Sequence, residues 1–397
     1  MRRWNRLVPG AAVVFYLLIA LEAVIMISPF AAYFYTIYAP ILTRLEASPW
    51  TAWLTAFFLP HITYTGDPLL TALAWLGPVL LSLGLAIFLV CAAQVYSAKL
   101  FRRGVVSGGL YRLIRHPQYL GLGVAGLGLL LYWPRFIILL LYLSMLFVYW
   151  LLARHEEARM EARFGEAYRT YRDRTWMFFP GAPGARIFPR LFGWTGRRGG
   201  AVAVAYLAVL VLGTGVAFGI RAYSLSRIPR LAYADRLLVV SLAPAGGAVL
   251  EAALATSLRH PEVAAVLAKV HRAPDHTLVA YVVPKAYMMQ HLIADLGEHE
   301  AHHGDGPAKA SVLGHLGQMY ALEPFRQLRD GAGSPEKRII FTEAMTAAGA
   351  SVPRARALDA DVLRFPLFFA ELEGDRVTVV METPRRHGWG TIPVPAF

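Results

Sequence analysis

The chain has 397 residues, of which 56% are hydrophobic and 16% charged, with a formal charge of +13. Ordinary soluble chains carry about a quarter charged residues, so this composition excludes intrinsic disorder and points to burial in lipid. A single cysteine, Cys91, excludes an internal disulfide framework and a multi-cysteine zinc site.

A bilayer-spanning helix needs roughly 20 mostly apolar residues, because the hydrocarbon core is about 30 Å thick and a helix rises about 1.5 Å per residue. Pro9 to Tyr33, interrupted only by Glu22, is the first such segment, and it is too long for a secretory signal. Trp50 to Leu59, bounded by Pro49 and Pro60, is too short to cross and reads as interfacial or re-entrant. Pro68 to Ala98 carries no charge at all; Gln118 to Trp133 and Phe136 to Leu152 flank Trp133-Pro134-Arg135 as a helical hairpin; Ala201 to Ile220 is again uncharged. These segments predict about five transmembrane helices. The chain then divides into residues 1–66 (first span and interfacial segment), 67–200 (a membrane core with a cytosolic binding segment), 201–224 (fifth span) and 225–397 (an extramembrane domain).

Cytoplasmic loops accumulate Arg and Lys near span ends. Residues 1–200 hold 20 basic side chains, 18 of them at the N-terminus, between Lys99 and Arg115, and between Arg154 and Arg198. An inside N-terminus and five crossings place all three regions in the cytoplasm and residues 225–397 outside. The first 200 residues hold 20 basic against 8 acidic groups, whereas the remainder hold 19 against 18. The basic excess therefore belongs to the membrane half and suits anionic lipid headgroups, not nucleic acid. Only five basic residues are lysines, which with the abundant Ala, Gly and Leu fits a GC-rich genome and a bacterial inner membrane.

From about Leu225 the texture is that of a soluble α+β domain. Strand-like runs occur at Leu237 to Leu242, Leu278 to Val283 and Arg338 to Thr342, and Leu367 to Glu373 with Arg376 to Glu382 reads as a hairpin turning at Glu373-Gly374-Asp375. Helical patterns intervene at Glu251 to Leu258 and Tyr287 to His303. His291, Glu298, His299, His302, His303 and Asp305 cluster there, and His299 and His303 have the spacing of a helical metal pair. Without a second ligand-bearing helix, a polar helix end capped by Gly-Asp-Gly is the better reading, and no metal site is assigned. The fold class is thus a mainly α-helical polytopic membrane protein with a C-terminal α+β extramembrane domain.

Chemistry concentrates at two basic cytosolic segments. In the first, Gly109 to Gly121, Pro117 is suited to a first helical turn and disfavours a helical residue before it, so the span should begin at Pro117 with His116 just outside. Helix N-termini expose unpaired N–H groups, and with Arg115 and His116 beside this one an anion such as a carboxylate could be held. In the second segment Glu157, Glu161, Phe164, Tyr168 and Tyr171 recur at helical steps, which places them on one helix face. Interfacial anchoring explains the neighbouring Arg159, Arg163 and Arg169. It leaves Glu156-Glu157 unexplained, since paired carboxylates at a membrane surface call for a cationic partner. Gly121-x-Gly123-x-x-Gly126 lacks the preceding strand of a dinucleotide fingerprint and reads as helix packing.

The sequence Arg115-His116-Pro117-x-Tyr119-x-Gly121, followed after a helical hairpin by Glu156-Glu157, Phe164-Gly165, Tyr168, Tyr171 and Phe179-Pro180, resembles the isoprenylcysteine carboxyl methyltransferase and phospholipid methyltransferase families. The resemblance covers about residues 70–180. It implies S-adenosylmethionine bound at the cytosolic face by Arg115, His116, Tyr119, Gly121, Glu156, Glu157 and Tyr168. The methyl acceptor it implies is lipophilic, a carboxylate, amine, phenol or thiol arriving from the bilayer, with Glu157 the nearest base for an acceptor that must lose a proton. Membrane lipids are the expected partners. Two other readings stand beside it: a membrane reductase of sterol-reductase-like architecture using a nicotinamide cofactor, and a non-enzymatic anchor for an extracytoplasmic binding domain.

Overall fold

A computed structural model describes residues 41–60, 63–101, 106–181, 198–270, 276–285 and 333–383, with positions 188, 191, 329 and 331. The expected first span, the helix at Tyr287 to His303 and the histidine cluster lie outside these residues. The described residues form two compact units. One comprises those in Ala74–Trp133 and Ile137–Ala217; the other comprises those up to Leu73, Pro134–Phe136 and those from Phe218 onward.

The first unit is built on helices. α1 spans Pro68–Leu100, α2 Pro117–Tyr132, α3 Phe136–Phe164, α4 Glu166–Arg174 and α5 Arg198–Arg227. Three segments, Pro68–Ala98, Phe136–Phe164 and Gly199–Arg227, are long and apolar enough to cross a membrane, and Pro117–Tyr132 is a shorter apolar helix. At about 1.5 Å per residue, α2 covers about 24 Å, less than a hydrocarbon core. Asp67 starts α1 by accepting the Leu70 N–H at 3.0 Å, and Pro68 fills the first turn, where no donor is missed.

Small residues let α1 and α2 approach closely. A Cβ at Gly84 would stand 2.2 Å from the Ala125 nitrogen, and one at Gly128 2.4 Å from the Leu81 nitrogen. With lipid tails as apolar as leucine, such close backbone contact supplies the dispersion that hydrophobicity cannot. Across the hairpin the Tyr142 hydroxyl donates to the Gly123 carbonyl at 3.0 Å, and α3 meets α5 through Ser144 and Tyr206, whose hydroxyls are 2.7 Å apart. Gly121, Gly123 and Gly126 all lie within α2, facing α1 or α3, as the packing reading of that motif expects.

One element departs from its sequence pattern. The carboxylate-bearing helix is continuous with the membrane helix, since α3 runs unbroken through Glu156 and Glu157. Its periodicity predicts one face through Tyr171, but Gly165 at φ +54° stops it. That region disfavours residues bearing a Cβ, so glycine is where the chain changes direction and restarts as α4.

The second unit centres on a six-stranded sheet in sequential order. Its strands are β1 Arg230–Tyr233, β2 Leu237–Ser241, β3 Thr277–Pro284, β4 Glu336–Thr346, β5 Val362–Glu373 and β6 Arg376–Glu382. β2 and β3 are parallel and are joined through α6 (Gly247–Arg259) and α7 (Pro261–Val270); the other pairings are antiparallel. Every predicted strand and the β5–β6 hairpin are present, with Gly374 at φ +63° in the turn. β1 and α7 are additional. Both sheet faces are buried: Val239, Ala280 and Phe341 join Leu250 and Leu254 of α6 on one, and Val240, Tyr281 and Ile340 join Ile228 and Leu358 on the other. Double burial explains why these strands read as apolar runs and not as alternating patterns.

Candidate functional site

Two backbone segments converge in the first unit. Pro117 opens α2 as expected, with His116 at the cap. Just before it, Leu113 to His116 lies alongside Thr175 to Met177: Trp176 N–H donates to the Leu113 carbonyl at 2.9 Å, and Arg115 N–H donates to the Trp176 carbonyl at 2.8 Å. This short parallel ladder, centred on the Ile114–Trp176 bridge, ties the start of α2 to the chain leaving α4. Beside this ladder lies the C-terminal part of α3, which carries Glu156 and Glu157.

Each carboxylate has its own partners. Arg115 Nε donates to Glu157 Oε1 at 2.6 Å, and the Tyr119 hydroxyl donates to Glu156 Oε1 at 2.6 Å. His116 lies between them. Its Nδ1 is 3.5 Å from Glu156 Oε2, and its Nε2 is 3.4 Å from Glu157 Oε1, both within charge-pairing range. Among the described residues the Glu157 hydrogen bond and ion pairs fall on Oε1, which leaves Oε2 for another donor. Arg115, His116 and Glu157 are nearly buried, whereas the Glu156 side chain is 48% exposed. Glu156 thus forms the wet edge of the site.

Burial works against a charge on His116, but hydrogen bonds and charges from Glu156 and Glu157 outweigh it. The imidazole therefore holds its proton to a higher pH than an ordinary histidine. Burial likewise pushes the Tyr168 hydroxyl up to about 12, with Glu157 adding to the effect, so that phenol stays neutral.

An aromatic wall completes the site. Tyr119 stacks between His116, at 5.8 Å between centroids, and Tyr149, at 5.2 Å; Phe178 approaches His116 at 6.0 Å. Tyr168 and Tyr171 lie 6.0 Å apart, and the Tyr171 hydroxyl donates to the Tyr111 carbonyl at 2.8 Å. Of the residues expected from sequence, Arg115, His116, Tyr119, Glu156 and Glu157 form one contact network, with Tyr168 at its side. Gly121 stands apart from it, buried against α1, where a Cβ would meet the Gly84 oxygen and the Phe88 nitrogen at 2.9 Å.

Tyr149 and the Thr175–Phe178 segment are contributors that the sequence reading missed. Tyr149 was findable, because it precedes Glu156 by seven residues, two helical turns on the same face. The Thr175 segment carries no comparable periodic signal, since its role is backbone pairing.

The class of protein defined by this architecture is a polytopic helical membrane protein whose charged site lies where two apolar helices begin and end. Residues 75–167 match the family model described as phospholipid methyltransferase. The match takes in α1 from Trp75, α2 and α3, and with them Arg115, His116, Tyr119, Glu156 and Glu157; it supports a membrane methyltransferase and bears out the resemblance read from the motifs. No curated protein and no solved structure matches the chain.

Proposed function

We propose that the protein transfers a methyl group from S-adenosylmethionine to a lipophilic acceptor. The observation that carries this reading is the charge arrangement at the α2 cap, where one imidazole and a helix N-terminus stand beside two carboxylates. The donor set fits the zwitterionic end of this cofactor. His116 and the N-terminal turn of α2, with its partial positive charge, would hold its carboxylate, and Glu156 with Glu157 Oε2 would hold its ammonium group. Bound there, the cofactor supplies a methyl group made electrophilic by a positively charged sulfur.

The aromatic rings at the site, Tyr168 and the exposed rim of the Tyr119 stack, suit a cation without forming directional bonds to it, so they stabilise it without anchoring it against release. The nearly buried Arg115 and His116 beside Glu157 keep water from it, and the network fixes donor geometry before the acceptor arrives. Glu157 is positioned to take a proton from an amine, phenol or thiol; a carboxylate acceptor needs none. The acceptor belongs among membrane lipids or lipophilic small molecules, reached sideways from the bilayer. We further propose that the site faces the cytoplasm of a bacterial inner membrane, with residues 225–397 on the opposite side, as the basic segments around the site imply.

Calorimetric titration of detergent-solubilised protein with S-adenosylmethionine tests the reading. Saturable binding that weakens in Glu157→Gln supports it. Well-folded protein that ignores this ligand, or binds a nicotinamide nucleotide instead, overturns it in favour of the reductase or anchor.

A further inference from the structure

From its sequence position beside His116, Arg115 is the obvious holder of a ligand carboxylate. Its guanidinium is otherwise engaged. Nε donates to Glu157 Oε1 at 2.6 Å, while Nη1 donates to the Arg172 carbonyl at 2.8 Å and also to the Thr175 carbonyl. Two of its three nitrogens are therefore committed to the protein, and the side chain is only 10% exposed. Its backbone N–H is committed as well, to Trp176. One residue thus joins three pieces of chain: the start of α2, the end of α3 and the exit from α4.

The Arg172 and Thr175 carbonyls belong to the C-terminal end of α4, where the last helical acceptors can take a donor from outside the helix and the Arg172 carbonyl also accepts the Thr175 N–H; together they fix the plane of the guanidinium. A planar, fixed fork then fixes the carboxylate it holds. Free of this partner, Glu157 would be one long side chain among several rotamers, with its ordering cost left to the ligand.

Building on the methyltransferase reading, we propose that Arg115 is a positioning residue, which acts on the ammonium end of the cofactor by holding Glu157 and does not touch the cofactor carboxylate. The two roles differ in which ligand atoms they depend on. A direct carboxylate contact matters only for a ligand that has a carboxylate. Positioning of Glu157 matters for every ligand with the ammonium group and for none without it.

Three ligands separate these cases by calorimetry on the full-length protein in detergent: S-adenosylmethionine, its decarboxylated analogue, and 5′-deoxy-5′-(dimethylsulfonio)adenosine, which keeps the sulfonium but lacks both the carboxylate and the ammonium group. In Arg115→Gln the first two should weaken by the same factor, about tenfold, and the third should be unchanged. In a Glu157→Gln background Arg115→Gln should add little, because the group it acts through has lost its charge. Weakening of S-adenosylmethionine alone would overturn the inference in favour of a direct carboxylate contact. Equal loss for all three ligands, or additive losses in the double variant, would overturn it in favour of a general structural role. If Arg115→Gln does not fold, Arg115→Lys, which keeps the charge but cannot reach Glu157 and both carbonyls at once, should show the same ligand pattern at smaller amplitude. Wild-type protein that binds none of the three would refute the cofactor reading and this inference with it, whereas binding with the wrong ligand pattern refutes only the inference.

Discussion

Replacing Gly84 by alanine probes the contact that places α2, and with it His116, beside α3. A Cβ there would meet the Ala125 nitrogen at 2.2 Å and the Gly121 oxygen at 2.5 Å, where ordinary contacts begin at 3.4 Å. Both obstacles are backbone, so no rotamer change relieves them, and the two helices must part by about 1 Å over a close-packed interface. Overpacking of this kind costs roughly 1–3 kcal/mol, and backbone obstacles favour the upper end. The protein supplies its own reporter, because Cys91 on α1 is fully buried. An opening made easier by about 3 kcal/mol should accelerate labelling of Cys91 by a thiol reagent by more than about tenfold under native conditions. Gly215→Ala in α5 is the matched control, since nothing lies within 4 Å of its added Cβ; it should leave labelling unchanged or slow it slightly, as glycine in a helix interior costs about 0.5–1 kcal/mol. Wild-type labelling in Gly84→Ala, or equal acceleration in both variants, would refute the reasoning.

Other perturbations address the charges and the sheet domain. Tyr119→Phe removes the hydroxyl bonded to Glu156 but keeps the ring stacked on Tyr149, so S-adenosylmethionine affinity should fall about three- to tenfold without loss of thermal stability, which titration and a melt together check. The raised His116 value sets a pH dependence: its ion-pair stabilisation is complete below about pH 6.5 and is lost as pH rises through the higher folded-state value. The melting temperature of ligand-free protein should therefore decline above neutral pH, and His116→Gln should flatten that decline. Phe341 is fully buried and stacked on Phe368 at 4.5 Å, so Phe341→Ala should cost about 3–5 kcal/mol. Limited proteolysis of the full-length variant should show cleavage after Leu225 rising by more than about tenfold; an unchanged pattern would count against the packing argument.

Much of this architecture was legible in the sequence for definite physical reasons. Pro117 marked the start of α2 because proline is tolerated at a first helical position and restrains the residue before it. The β5–β6 hairpin was marked by Glu373-Gly374-Asp375, where glycine supplies the positive φ of a tight turn. The break at Gly165 was less visible, since the apolar and acidic periodicity continues across it and the glycine alone does not announce a restart. β1 escaped notice because its four residues, half exposed, carry too short a pattern. The mutual arrangement of Arg115 and Glu157, 42 positions apart, was beyond any local pattern, because it depends on where α3 ends relative to the chain leaving α4.

That long-range arrangement explains why the carboxylates sit on a helix and not in a loop. α3 is anchored along its apolar length by Tyr142 and by Ser144 with Tyr206, so its last turns are carried into the polar region as a rigid extension. Glu156 and Glu157 are adjacent and project about 100° apart around that helix. One can therefore face Tyr119 and the water-exposed edge while the other faces Arg115 and the interior. Two loop carboxylates could adopt the same directions only with added ordering cost. Gly165 then lets the chain turn within a residue of the helix end, and α4 returns the Arg172 and Thr175 carbonyls to the guanidinium that holds Glu157. Rigidity upstream and a sharp turn downstream are both required: lengthening the connection at Gly165 should loosen Glu157 without disturbing the helices, lowering affinity for an ammonium-bearing ligand while Cys91 labelling stays slow.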